Sequence, residues 1–181
     1  SYIPYKEEDA VSPVSVYGKT KRQGEEELLR LCPQTSIIVR TAWLYSEYGN
    51  NFMKTMLRLG AERSRLSVVF DQIGTPTYAY DLASALLAIL DQSIKGLFVP
   101  GIFHYTNEGV CSWYDFASKI MKLAGLFAEV FPIESTEYPT KAARPHYSVL
   151  NKKRIKSVYR LEIPHWEESL ALCLDRWKKM E

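Results

Sequence analysis

Apolar positions recur along this chain in two periods, and the period changes segment by segment. Residues 14–31 place Val14, Tyr17, Gly24, Leu28 and Leu31 at helical spacing. Ser12-Pro13 in front reads as a helix start, and Cys32-Pro33 behind reads as a stop. Gly24 on that helix offers a close approach to another backbone. Residues 36–40, SIIVR, are a short β-branched apolar run and predict a buried parallel strand. Asn51 predicts the cap of a helix running to about Leu59, with Phe52, Met56 and Leu59 on one face. LSVVF at 66–70 predicts a strand, and DQIGTPT at 71–77 a turn-rich loop. Asp81 opens a helix to about Leu90, apolar enough to be well buried. Residues 102–105 predict a short strand. Ser112 with Asp115 predicts a capping box for a helix over 113–124, ended by Gly125. Residues 130–133 predict a last strand. Asn151 and Pro164 begin two closing helices, the second carrying Trp166, Leu170, Cys173, Leu174 and Trp177 at helical period. The polar residues 1–12 form a leading loop.

Composition narrows the function classes. At 181 residues with 46% hydrophobic content, the chain holds one domain, or one and a fraction, with a sizeable core. A net charge of +2 implies no nucleic-acid partner. The basic run at 151–154 reads as a solvated helix face. No apolar run approaches the roughly 20 residues that span a bilayer, and no signal peptide is visible, so no membrane partner is expected. The 3 cysteines are odd in number and in no metal spacing. They read as buried, reduced thiols of a cytoplasmic protein. The 3 histidines form no ligand cluster, so no metal site is expected.

One helix carries candidate chemistry. Tyr17 and Lys21, four residues apart, share a helix face one turn from each other. A free phenol gives up its proton only near pH ~10. An ammonium beside it favours the phenolate and makes it a usable proton donor to a carbonyl oxygen. The spacing alone is weak: with 12 tyrosines it arises by chance about once. Tyr2 and Lys6 repeat it, but Pro4 between them argues against a helix there.

Five blocks in order give the pair a context: VYGKTKRQGE, IIVRTAWLYSEYGNNFMKTMLRL, VVFDQIGTPTYAYDLA, GIFHYTNEGVCSWYDFA and EYPTKAARPHYSVL. Together they resemble the C-terminal two-thirds of the dTDP-4-dehydrorhamnose reductase family, within the extended short-chain dehydrogenase/reductases. The resemblance runs from about Tyr5 to the last helix. It implies an α/β fold: an incomplete Rossmann-like parallel sheet, its N-terminal βα units missing, plus a small α+β substrate-binding domain. Residues 1–48 would be the remnant of the dinucleotide-binding domain. Residues 49–181 would mainly bind substrate, with 81–105 returning to the nucleotide domain.

The same resemblance implies roles. Tyr17 and Lys21 would be catalytic and would also contact the cofactor, NADPH or NADH. Thr41 and Ala42 would lie by the nicotinamide carboxamide. Trp43 would line the sugar pocket of a dTDP-sugar substrate. Asn51 and Phe52 would contact the nucleotide-sugar diphosphate, Gln72 and Thr77 would lie in a loop near the nucleotide, and Arg144 would grip the pyrophosphate with its guanidinium fork. His146 beside it reads as structural. The implied reaction reduces a 4-keto-6-deoxyhexose to dTDP-L-rhamnose. Rival readings are an epimerase or dehydratase of the same fold, or a non-catalytic regulatory subunit resembling this family. No GxxGxxG turn occurs in the chain, and the family's Thr-bearing block is absent. The chain therefore reads as a fragment, inactive by itself, with a sheet edge open to homo-oligomers.

Overall fold

The structure, a computed structural model, describes residues 2–13, 15–139 and 144–180. Val14 and residues 140–143 of the last block lie outside them. Ser15 caps helix α1 (Val16–Leu31), its hydroxyl accepting from the Gly18 N–H at 3.0 Å. Strand β1 (Ile37–Arg40) follows, then β2 (Leu44–Tyr45). Asn51 caps α2 (Phe52–Glu62), as its side chain dictates. Next come β3 (Arg65–Val69), β4 (Ile73–Gly74), β5 (Thr77–Tyr78), α3 (Ala79–Ile94), β6 (Gly101–His104) and β7 (Cys111–Ser112). Helix α4 (Trp113–Ala124) starts on the Ser112–Asp115 capping box and stops at Gly125, whose φ is +70°. Strand β8 (Glu129–Ile133), a 3₁₀ turn (Ser135–Glu137), α5 (Lys153–Tyr159) and α6 (Trp166–Lys178) complete the order.

The strands pair as four ladders. β1–β6, β2–β5 and β3–β8 are parallel, and β4–β7 is antiparallel. The fold is α/β, as the alternation of elements predicts. Two apolar cores form. One lies among β3–β8, α2, α4 and α6, around Met53, Leu57, Phe116, Ile120, Leu170 and Leu174. The other lies between β1–β6, α3 and α5, around Ile89, Phe103, Ile155 and Tyr159.

Asn107, fully buried just after β6, joins them. Its Oδ1 accepts from the Tyr78 N–H at 2.8 Å. Its Nδ2 donates to Asp81 Oδ2 at 2.7 Å, Ser169 Oγ at 2.8 Å and Pro164 O at 3.2 Å. Its own carbonyl accepts from Lys152 Nζ at 3.0 Å. The side-chain amide thus binds β5, α3 and the start of α6 to the end of β6, and the main-chain carbonyl of the same residue binds the N-cap of α5.

Several expectations are corrected. Helix α3 is not well buried: Ala85 and Ile89 face the core, but Leu86, Leu87, Leu90 and Ile94 are exposed. The strand at 36–40 is parallel but only half-buried. Helix α1 buries no residue, and nothing lies within 4 Å of a Cβ built on Gly24. What holds α1 is charge. Arg40 at the end of β1 donates to both Glu25 carboxylate oxygens, at 2.8 and 2.6 Å. Lys152 is buried rather than solvated, with acceptors in Thr106 Oγ1, the Asn107 carbonyl and Glu108. Cys32 is exposed, while Cys111 and Cys173 are buried.

The junction yields a stability test. Asn107→Leu keeps the branched shape but strips the Tyr78 N–H of its acceptor and Asp81 of a donor. A loss of about 3 kcal/mol is expected. Urea unfolding measures it, and a change under about 0.5 kcal/mol would refute the junction's importance.

Candidate active site

The helical period sets Tyr17, Lys21 and Glu25 on one stripe of α1. Lys21 Nζ lies 5.5 Å from the Tyr17 ring centroid. Tyr17 is 72% exposed, and Lys21 is exposed too. Glu25, the third member, is clasped by Arg40. The clasp ties the stripe to the C-terminal end of β1, the end that carries Thr41 and Ala42. Glu25 in turn holds the Arg40 guanidinium firmly charged, against the pull of burial. In parallel sheets that end of the strands is the side on which ligands are met.

A second constellation lies beyond β1. A cavity of about 300 Å³ is lined by Trp43, Gln72, Trp113, Arg144, Pro145 and Ser148. Three residues singled out separately in the sequence, Trp43, Gln72 and Arg144, thus share one wall. Trp43 has a φ of +50°, a left-handed backbone costly for a side chain with a Cβ. Its indole stacks on that of Trp113, with centroids 3.5 Å apart and planes 9° from parallel. Phe52 supports Trp113 from 4.6 Å. Gly74 makes room for the pair: a Cβ there would stand 2.5 Å from Trp43 Cε2 and 2.7 Å from Ser148 Oγ. One face of Trp43 is therefore taken by protein.

The other expected residues sit behind the wall or apart from it. Thr77 is fully buried, and its N–H donates to the Trp43 carbonyl at 3.0 Å, which helps fix the left-handed turn. Asn51 spends its side chain locally. Its Nδ2 donates to Ser46 O at 2.7 Å, and its Oδ1 accepts from the Lys54 N–H at 3.2 Å. Tyr17, Lys21, Thr41 and Ala42 are not among the lining residues of the Trp43 cavity.

Gln72 is held from behind. Its Nε2 donates to Ser135 Oγ at 2.8 Å, and that hydroxyl donates to Asp71 Oδ1 at 2.6 Å. Partial burial works against the Asp71 charge. The Ser135 hydroxyl and N–H, a backbone amide and His146 outweigh it and hold the carboxyl below the usual range. His146 has a partner after all: its Nδ1 lies 3.0 Å from the Asp71 carbonyl.

Trp113, Pro145 and Ser148 escaped the sequence reading. Trp113 was accounted for as the first residue of a capped helix, and only its place in the SWYDF block hinted at more. Among the described residues, no group of His, Cys, Asp and Glu is placed to hold a metal ion, and no helix is long and apolar enough to cross a membrane.

The family model for the RmlD substrate binding domain matches residues 1–179. A dTDP-4-dehydrorhamnose reductase of Aggregatibacter actinomycetemcomitans is 46% identical over 173 residues, covering 92% of this chain and 58% of that protein. The solved structure of a dTDP-4-dehydrorhamnose reductase from Clostridium acetobutylicum superposes with a TM-score of 0.90 at 43% identity, covering 98% of this chain and 61% of that one. Another, from Bacillus anthracis in complex with NADP, gives 0.87 at 39% identity, covering 96% and 59%. The chain thus spans 58% to 61% of the length of these relatives.

The indole stack provides its own test. Gly74→Ala is expected to push Trp43 off Trp113 and abolish the exciton couplet of the paired indoles in circular dichroism. Trp113→Leu abolishes it by removing one partner. A couplet retained in Gly74→Ala would show that the wall yields.

Proposed function

Because the chain belongs to the RmlD substrate binding domain family, we propose that this protein is a dTDP-4-dehydrorhamnose reductase. It reduces the 4-keto group of a dTDP-4-keto-6-deoxyhexose and forms dTDP-L-rhamnose. The observation that carries this reading is the one wall shared by Trp43, Gln72 and Arg144. An apolar surface beside a cation and an amide suits a deoxysugar joined to a diphosphate. Arg144 binds the pyrophosphate. Trp43, braced on one face by Trp113, bounds the sugar. Phe52 and Thr77 contribute by holding that wall. Asn51 contributes through the start of α2, since its own amide is engaged there.

Tyr17 donates the proton to the carbonyl oxygen, and the Lys21 ammonium favours the phenolate that results. Reduced nicotinamide, when bound, supplies the hydride. The exposed Tyr17–Lys21 stripe fits the ribose end of such a cofactor, with Thr41 and Ala42 near the carboxamide. The pyrophosphate end calls for a glycine-rich turn that these 181 residues do not contain. The NADP-bound relative supports NADPH over NADH. Free thiols at Cys32, Cys111 and Cys173 and a nicotinamide reductant support a cytoplasmic setting.

Among the described residues β1 pairs with a strand on one side only, and Val16, Leu31, Leu87 and Ile94 of α1 and α3 are exposed. Association of two copies through this region is part of the proposal.

In the complete protein, Tyr17→Phe is expected to lower kcat on the order of a hundredfold or more with little change in KM. NADPH absorbance with the dTDP-4-keto sugar reads it, and an unchanged kcat refutes the role. The 181 residues alone are expected to bind no NADPH in a fluorescence titration and to scatter light as a dimer or larger. A monomer that binds NADPH at micromolar concentration overturns both expectations.

A further inference from the structure

Gln72 lines the cavity, and its amide nitrogen is held by the protein. Behind it runs a relay: Gln72 Nε2 to Ser135 Oγ at 2.8 Å, then Ser135 Oγ to Asp71 Oδ1 at 2.6 Å. The Ser135 backbone N–H donates to the same carboxylate oxygen at 3.0 Å. Counting protons gives the relay a direction. A serine hydroxyl has one hydrogen, and an ionised carboxylate only accepts. The Ser135 hydrogen therefore goes to Asp71, and Oγ is left with lone pairs alone. Only the NH₂ end of Gln72 can meet it. The flipped amide, nearly the same shape, would set a carbonyl oxygen against that lone pair. Gln72 Oε1 has no hydrogen-bond partner among the described residues, and it is the end left to the cavity.

Asp71 also holds the strip that carries Arg144. His146 Nδ1 lies 3.0 Å from the Asp71 carbonyl and 3.5 Å from its Oδ2. One aspartate thus sets both Gln72 and the segment leading from Arg144, two sides of the same opening.

We infer that Ser135 and Asp71 are positioning residues which fix Gln72 with its carbonyl toward the ligand, so that the site selects a nucleotide sugar offering a neutral hydrogen-bond donor at that point. An amide free to flip accepts or donates as the ligand requires and discriminates little. A locked amide leaves an acceptor unpaired when the donor is missing. Within a dTDP-sugar two groups have this chemistry: the imide N–H of the base and a sugar hydroxyl. The choice of ligand rests on the reductase reading, but the relay itself does not.

The relay is tested first without ligand. In ¹⁵N-labelled protein, one Gln72 side-chain amide proton is expected to exchange slowly and to show a through-space contact with Ser135. Ser135→Ala is expected to collapse this signature, and Ser135→Thr, which keeps the hydroxyl, to retain it. A Gln72 amide unchanged by Ser135→Ala overturns the inference. Calorimetric titrations then compare dTDP with 3-methylthymidine diphosphate, and a dTDP-hexose with its ring-deoxy counterparts. Removing the donor that Gln72 reads is expected to cost roughly tenfold in affinity. The first pair reports the base and the second the sugar. Ser135→Ala is expected to lose most of that preference, and Ser135→Thr to keep it. Equal affinity for every ligand, with the amide signature intact, overturns the selection. An intact signature in a protein that binds no dTDP compound leaves the relay standing and refutes the reductase reading instead.

Discussion

The structure turns on a single buried amide. Asn107 stands where the parallel ladder β1–β6 ends and the chain departs for the core of α2, α4 and α6. A buried amide offers two hydrogens and one carbonyl oxygen, and each must find a partner. Here they find Tyr78, Asp81, Ser169 and Pro164, residues from three elements that the apolar clusters alone would not orient. Apolar contact is indifferent to small rotations, whereas hydrogen bonds are not. The two cores supply the bulk of the stabilisation, and Asn107 decides how they meet. The consequence reaches the cavity through β5. Tyr78 is fastened by its N–H, its neighbour Thr77 is thereby set, and the Thr77 N–H holds the carbonyl of Trp43.

The Trp43 wall gathers costs that pay for each other. A left-handed backbone at a tryptophan costs about 1 kcal/mol. A stacked indole pair returns a similar amount. Gly74 is required because the stack leaves no room for a side chain on the neighbouring strand. A rigid, prestrained aromatic surface results, and the exposed cation Arg144 lines the same cavity.

How much of this was legible in the sequence depended on range. Caps at Asn51 and Ser112 are decided within four residues, and both stood where the sequence put them. The long helices and the strands near 38, 67, 103 and 131 carry enough apolar period to announce themselves. β2, β4, β5 and β7 have two residues each, too few for any period, and exist only because a distant strand lies opposite. Lys152 read as solvated because its acceptors, Thr106, Asn107 and Glu108, come from another part of the chain. Leu86, Leu87 and Leu90 read as buried because hydrophobicity reports the wish for a partner, not its presence. Within the cavity, Trp43, Gln72 and Arg144 were named one by one. Trp113 and Ser135 were not, since one was explained as a helix start and the other lay in a plain turn.

Helix α1 has a further consequence. It buries no residue, and the Arg40–Glu25 pair fastens it to the sheet. A helix packed on a core opens only with the core, because opening uncovers apolar surface. A helix fastened by charge opens for little more than the loss of its ion pairs, about 1 kcal/mol each, and of its own backbone bonds. The amides of α1 are therefore expected to meet solvent protons before those of α4, which buries four residues. Tyr17 and Lys21 thus sit on the more labile element, and Trp113 of the cavity on the more durable one.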